Sequence, residues 1–137
     1  MRYLAIDLGD KRTGLAMGDD GTGIVSALTV IEQPRGPALL AALEAAVAEH
    51  GPDELVLGLP LNMDDTEGDR ARLTRTFGAD LATRCGLPVR YQDERLTSEA
   101  ANARLARTGR THGQKKAIRD ALAAAEILED YLRSLGA

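Results

Sequence analysis

The first third of the chain alternates short apolar runs with turn residues, a pattern typical of strands joined by tight turns. Turn residues surround Gly9 and fill Asp19–Gly23. The predicted strands in this region are Tyr3–Leu8, Thr13–Met17 and Ile24–Ile31. We therefore expect three consecutive strands connected by hairpins.

The rest of the chain alternates helical and strand-like patterns. Apolar residues recurring every three or four positions predict helices, whereas short continuous apolar runs predict strands buried on both faces. The predicted helices are Pro37–His50, Thr66–Arg84, Thr97–Arg107 and Lys115–Leu135, the predicted strands are Glu54–Leu59 and Pro88–Gln92, and the predicted loop is Gly109–Gly113.

The helix predicted from Thr66 has both a start signal and an apolar stripe. Thr66 and Asp69 have the spacing of a capping box. Leu73, Phe77 and Leu81 recur every four residues, so we expect all three to face the core.

The order of these elements predicts an α/β fold in a single domain, residues 1–137. The fourth and fifth strands each follow a helix, so right-handed crossovers should place them parallel to their neighbours. The expected architecture is a mixed five-stranded sheet flanked by helices, with the first strand near the centre.

Composition narrows the class of protein. The 137 residues are 44% hydrophobic but only 3% aromatic, so aliphatic residues must fill the core. Cys85 is the only cysteine, which excludes an intrachain disulfide and is typical of a reducing compartment. We expect Cys85 to fill core space rather than act as a nucleophile. No signal peptide or membrane-length apolar run is visible, so a cytoplasmic location without membrane attachment is expected.

Asp7 is the first acidic residue that looks out of place. It lies within the otherwise apolar strand Tyr3–Leu8. A charge buried there costs several kcal/mol unless it is paired or bound to a cation. The alternative is that Asp7 caps the turn after the strand, as Asp often does. Its position alone does not separate the two.

Asp120 is the second such acid. On a helical wheel it shares its stripe with Ala117, Ala124, Ile127 and Tyr131, which should face the sheet. The alternative, a first-turn acid interacting with the helix dipole, is weaker because the helical pattern already starts before Asp120.

Glu94 is the third, directly after the predicted fifth strand. Sites in open α/β sheets form at the carboxyl ends of strands. A solvated turn is the alternative, and Asp93 could be the inward residue instead. Three acids from distant segments suggest one cluster, in which carboxylates would repel unless a divalent cation were bound. Carboxylate oxygens suit Mg²⁺ or Mn²⁺.

The basic residues are concentrated, although the formal net charge is −4. Between positions 104 and 119 the cations have no acid among them: Arg104, Arg107, Arg110, Lys115, Lys116 and Arg119. Lys11 and Arg12 follow Asp7, and Arg95 follows Glu94. Cations beside metal-seeking acids favour a site for the backbone of a nucleic acid. A solvated helix face is the alternative.

Two phosphate-binding motifs nearly match at the N-terminus. Gly9–Gly14 has the spacing of a P-loop, but Leu15 and Ala16 replace the required Lys and Ser/Thr. The segment from Asp7 to Gly14 is also similar to the first phosphate loop of the actin and sugar-kinase superfamily, for which this chain is short.

Four segments together resemble the YqgF/RuvX family, described as pre-16S rRNA nucleases and as Holliday junction resolvase-like proteins. They are LAIDLGDKRTGLAMGD, ELVLGLPLNMDD, DERLTS and KKAIRDALAAAEIL, in the expected order. The resemblance implies a ribonuclease H-like fold and metal-dependent hydrolysis of phosphodiesters. It also assigns the catalytic and metal-binding acids to Asp7, Glu94 and Asp120, and so favours Glu94 over Asp93.

The chain departs from the family pattern in one loop and from the wider superfamily in one acid. Asp65 stands where the family usually has Gly, and Asp adopts the left-handed conformation less readily. In the superfamily the second acid commonly ends the fourth strand, but here that strand ends in Gly58-Leu59-Pro60. Glu94 would have to reach across the roughly 4.8 Å between neighbouring strands.

The expected function is processing of the 5′ end of pre-16S rRNA in ribosome biogenesis, with structured RNA as the partner. Lys11, Arg12, Arg95, Lys115, Lys116 and Arg119 would bind its backbone. One alternative is a resolvase of branched DNA, which requires a homodimer presenting two sites to a four-way junction. Others are a non-catalytic nucleic-acid-binding assembly factor and a small phosphotransferase.

Overall fold

The computed structural model describes residues 1–94 and 112–136, without the side chains of residues 112–117. The predicted helix Thr97–Arg107 lies outside the described residues. The elements are β1 (Arg2–Leu8), β2 (Thr13–Asp19), β3 (Val25–Ile31), α1 (Pro37–His50), β4 (Glu54–Leu59), α2 (Asp69–Cys85), β5 (Val89–Asp93) and α3 (His112–Ser134). Since α3 begins at His112, the predicted loop Gly109–Gly113 was wrong at its C-terminal end.

The five strands form one mixed sheet in the order β3-β2-β1-β4-β5. The pairs β1–β2 and β2–β3 are antiparallel, as hairpins require. The pairs β1–β4 and β4–β5 are parallel, because a helix connects each new strand. The predicted α/β architecture and the central position of β1 are therefore confirmed.

The two faces of the sheet carry different side chains because residues alternate along each strand. Leu4, Ile6 and Leu8 of β1 belong to a leucine-rich cluster that includes residues of α1 and α2. Tyr3 and Ala5 belong to a second cluster, which includes residues of α3. We call these the leucine face and the alanine face.

Helix α2 begins later than predicted, and its buried stripe includes Phe77 and Leu81, as predicted, but not Leu73. Its N-cap is Gly68, because the Thr66 hydroxyl donates instead to Asp64 Oδ1 at 2.6 Å in the preceding loop. Leu73 is 49% exposed, so its predicted burial was wrong. The buried stripe consists of Ala71, Thr74, Phe77, Gly78 and Leu81, spaced three or four residues apart.

The loop between β4 and α2 contains the departure from the family pattern. Asp65 has φ +69°, the left-handed region in which glycine is usual. Its N–H donates to the carbonyl of Asn62 at 2.9 Å, which closes the turn. The chain therefore keeps the turn and accepts a local cost of about 1 kcal/mol.

Two further expectations concern the core and the membrane. Cys85 is partly buried against the leucine face, and burial raises the pKa of its thiol, as expected of a space-filling residue. Among the described helices, none combines the length and apolar character needed to cross a bilayer.

Candidate active site

Asp7 occupies the alanine face near the end of β1. It follows Tyr3 and Ala5 in the alternation, so its carboxylate points toward the layer formed by α3. The turn after β1 is closed by the backbone, where Gly9 N–H donates to the Arg12 carbonyl at 3.0 Å. Asp7 is therefore a half-buried residue of the sheet and lines a cleft instead of capping the turn.

Glu94 reaches Asp7 from β5 by crossing β4 at a glycine. Leu57 of β4 pairs with Ile6, so Gly58 lies alongside Asp7. A Cβ at Gly58 would lie 2.5 Å from Glu94 Oε2, which shows that the Glu94 carboxylate occupies the space above this residue. Strand β4 ends without an acid, and its Gly58 leaves room for Glu94, which follows the neighbouring strand β5.

Asp120 approaches from α3, well beyond the first turn of that helix. The helix lies directly on β2, because a Cβ at Gly14 would come within 1.9 Å of the Asp120 carbonyl oxygen. Asp120 Oδ2 lies 3.2 Å from Arg12 Nε of the β1–β2 hairpin. The predicted inward stripe of α3 is confirmed at Ala124 and Ile127, both fully buried.

The three acids line one cleft of about 240 Å³ at the carboxyl ends of β1, β4 and β5. Glu94, rather than Asp93, is the acid that contributes to it. The lining residues are Asp7, Leu8, Gly9, Arg70, Glu94, Asp120 and Ala123. Arg70, near the start of α2, was not predicted from the sequence.

The electrostatics of the cleft favour a bound cation. Burial raises the pKa of Asp7 to about 8, helped by the charge of Glu94, a hydrogen bond to Glu94 and the charge of Asp120. Burial also raises the pKa of Glu94. Arg70 opposes both shifts. Without a cation, a protonated Asp7 donates a hydrogen bond to the Glu94 carboxylate.

The carboxylate oxygens of the cleft suit Mg²⁺ or Mn²⁺, but Asp120 is paired with Arg12. As placed in residues 1–94 and 118–136, the side chains form no group of three or more His, Cys, Asp or Glu that could hold a metal ion. Asp7 and Glu94 are in contact, whereas Asp120 pairs with Arg12. A shell of all three acids requires Asp120 to exchange its arginine for the ion.

Two of the predicted nucleic-acid-binding residues lie beside the cleft. Lys11 and Arg12 line an adjoining groove of about 310 Å³, which shares Gly9 and Asp120 with the cleft. Arg119 is exposed on α3 next to Asp120. Arg95 and the side chains of Lys115 and Lys116 lie outside the described residues.

A larger depression, of about 430 Å³, lies between β3 and α3. Its lining is mostly apolar, and Glu32 is its one charged residue among those described. It lacks convergent polar groups, so the acidic cleft is the better candidate for chemistry.

Solved structures with a similar fold include two proteins bound to Holliday junctions. RuvC from T. thermophilus, solved in complex with a Holliday junction substrate, matches with a TM-score of 0.60 and 14% identity over 98% of this chain and 96% of that one. Fowlpox virus resolvase, solved in complex with Holliday junction DNA, matches with a TM-score of 0.63 and 12% identity over 98% and 99%. The predicted ribonuclease H-like fold is confirmed.

Sequence comparison identifies the family. The profile described as "RuvX: Holliday junction resolvase" matches residues 1–134. A protein of Dechloromonas aromatica named "Putative pre-16S rRNA nuclease" is 43% identical over 131 residues, which cover 96% of this chain and 90% of the relative. The chain belongs to the RuvX family.

Proposed function

We propose that this protein is a divalent-metal-dependent nuclease that hydrolyses phosphodiester bonds in the precursor of 16S rRNA. The observation that carries the proposal is the convergence of Asp7, Glu94 and Asp120 from three distant segments on one cleft. The family membership and the name of the relative support the substrate.

Asp7 and Glu94 would hold the ion, and Asp120 would complete its shell after leaving Arg12. A bound Mg²⁺ or Mn²⁺ supplies positive charge to the phosphate and to the attacking water. Asp7 lies in β1 and Glu94 directly follows β5, so the sheet positions both inner carboxylates. Leu8 and Ala123 supply the apolar part of the lining of the same cleft.

Lys11 and Arg12 would bind the backbone of the nucleic acid beside the cleft. Their groove adjoins the acids at Gly9 and Asp120, so a phosphate chain lying in it would lead into the cleft. Arg95, Lys115, Lys116 and Arg119 would extend this contact. Lysine and arginine side chains bind RNA through its phosphates and make the affinity dependent on salt.

The test is cleavage of a precursor 16S RNA fragment by the Asp7→Asn variant in Mg²⁺ or Mn²⁺. We expect the rate to fall by about 100-fold or more, because a metal ligand is lost. Asp130→Asn is the matched control, since Asp130 pairs with Arg133 on the surface of α3 and should leave the rate unchanged. Equal rates for Asp7→Asn and wild type would contradict the mechanism.

The second candidate is resolution of four-way DNA junctions, favoured by the description of the family. It requires a dimer that presents two clefts to one junction. Comparing paired nicks in junction DNA with cleavage of precursor RNA, alongside the molecular mass in solution, separates the two. A wild-type protein that binds RNA but cuts neither substrate would indicate a non-catalytic assembly factor.

A further inference from the structure

Arg70 differs from the other arginines of α2 in what surrounds it. Arg75 pairs with Glu67 at 2.6 Å and Arg84 with Glu44 at 2.7 Å, while Arg72 pairs with Asp69. These three bind acids outside the cleft. Arg70 instead lines the acidic cleft.

Helix α2 lies against the leucine face, whereas the acids lie on the alanine face. Arg70 is the second residue of α2, just after the loop that follows β4. It therefore reaches the acids over the carboxyl ends of the strands. This approach is separate from that of Arg12, which comes from the β1–β2 hairpin.

The charge of the Arg70 guanidinium affects the pKa values of the acids, but the guanidinium forms no ion pair with them. Its charge lowers the pKa of both Asp7 and Glu94. Yet no ion pair within 4.0 Å joins Arg70 to another residue among those described. A guanidinium has five N–H donors in a planar fork that matches phosphate oxygens. Arg70 thus keeps donors available for a ligand in the cleft.

The net charge of the cleft indicates the charge of the ligand that would fit it. Three ionised carboxylates, one divalent ion, Arg12 and Arg70 leave a single net positive charge. A phosphodiester carries one negative charge and therefore matches it. Without Arg70 the cleft would be neutral, and one positive charge fewer would stabilise the second negative charge that develops as water attacks phosphorus.

We propose that Arg70 is a catalytic residue that donates hydrogen bonds to a non-bridging oxygen of the scissile phosphate. This rests on the proposed nuclease function. In the step it assists, water oxygen bonds to phosphorus and loses a proton to solvent, while the bond from phosphorus to the leaving oxygen breaks and that oxygen takes up a proton. Arg70 stays protonated throughout and stabilises the charge on the phosphoryl oxygens.

The test compares Arg70→Ala with Arg72→Ala, a matched surface variant two residues along the same helix. Single-turnover cleavage of the precursor RNA fragment is measured at saturating Mg²⁺, and Mn²⁺ binding is measured separately by calorimetry. We expect Arg70→Ala to lower the cleavage rate by about 100-fold, in the range found for loss of one transition-state donor. Mn²⁺ affinity should be unchanged or higher, and Arg72→Ala should resemble wild type.

Chemical rescue distinguishes a phosphate contact from a structural role. Added guanidinium ion should restore part of the Arg70→Ala rate, and Arg70→Lys should be intermediate because Lys keeps the charge but loses the fork. An unchanged rate for Arg70→Ala overturns the proposal. So does a lower rate that comes with weaker Mn²⁺ binding and no rescue, because Arg70 would then act only by holding the acids.

The outcomes also separate this proposal from the proposed function. A wild-type protein that fails to cleave overturns both. If wild type cleaves and Asp7→Asn does not, while Arg70→Ala cleaves normally, only the assignment of Arg70 fails.

Discussion

The two faces of the sheet are packed in different ways. On the leucine face, large side chains such as Leu43 of α1 and Leu57 of β4 are fully buried between the sheet and two helices. On the alanine face, Ala5 of β1 and Ala16 of β2 pack closely with Ala124 of α3, the one helix on this face among the described elements. Large side chains keep a helix at a distance from a sheet, and small ones let its backbone approach.

This difference explains where the acids can meet. Because Gly14 admits the backbone of α3 and Gly58 admits the side chain of Glu94, carboxylates from β1, β5 and α3 lie in one cleft. On the leucine face, Gly78 of α2 admits the Tyr91 side chain in a similar way, but this contact brings no acid to the cleft, and the leucine face contributes burial instead. The leucine face therefore contributes mainly stability, and the alanine face also carries the candidate site. Substitutions on the two faces should differ in how they change the free energy of unfolding and the cleavage rate.

Leu43→Ala tests the leucine face and should have the largest effect on stability. Leu43 is fully buried, and truncation of a buried leucine lowers the free energy of unfolding by about 2–5 kcal/mol. The cleavage rate per folded molecule should not change, because α1 contributes no residue to the lining of the cleft. Urea unfolding and single-turnover cleavage measure the two quantities. A parallel loss of both would contradict the division of stability and chemistry between the two faces.

Gly14→Ala tests the alanine face and should lower both the free energy of unfolding and the cleavage rate. The added methyl would collide with the backbone of α3 at Asp120, so the helix must shift. Overpacking of this kind costs about 1–3 kcal/mol and sometimes more. The cleavage rate should fall as well, because Asp120 moves with the helix.

Gly18→Ala, on the same strand and face, is the control for that variant. Its added methyl would meet two side-chain ends, Leu128 Cδ2 at 2.8 Å and Val25 Cγ2 at 3.0 Å, and the Ile24 carbonyl oxygen at 3.2 Å. Side-chain ends move more easily than the backbone of α3, and the carbonyl is less close, so a smaller loss of stability and an unchanged cleavage rate are expected. If the two glycine variants behaved alike, close approach of α3 would not matter for the site.

Periodicity along the chain was enough to predict part of the site. Alternation placed Asp7 inside a strand, and the helical stripe placed Asp120 on the inner side of α3. The choice of Glu94 over Asp93 came from the family resemblance, because both residues follow the predicted fifth strand Pro88–Gln92 and local pattern cannot tell them apart. The reason lies in Gly58, a residue on another strand whose missing side chain makes room for Glu94.

Arg70 could not be predicted because its position depends on the loop before α2. That helix was predicted to begin at Thr66, but the Thr66 hydroxyl accepts a hydrogen bond from the Asn62 amide and donates one to the Asp64 carboxylate, and these two bonds hold Thr66 in the loop. The helix begins three residues later, at Asp69, and Arg70 falls in its first turn. One arginine among several in α2 carries no periodic signal that marks it as facing a cleft.

Unfolding without metal, as a function of pH, gives the finest test of the difference between the faces. Burial raises the pKa of Asp7 in the folded protein to about 8 from an unfolded value near 3.8. Stability from the protonated group is therefore complete below about pH 4 and is lost as the pH rises toward 8. The loss amounts to at most about 1.4 kcal/mol per pH unit over that window.

Asp7→Asn should remove most of this dependence, because Asn keeps the shape of Asp but does not ionise. In EDTA we expect the wild type to lose more stability than Asp7→Asn between pH 5 and pH 7, and the variant to be the more stable protein at pH 7. Mg²⁺ should stabilise the wild type more than the variant, since only the wild type presents the charged ligand at this position. Urea unfolding measures these free energies. If the free energies of unfolding of the two proteins change equally from pH 5 to pH 7, ionisation of Asp7 costs the folded protein nothing. The physical reason for a cation at the alanine face would then be lost.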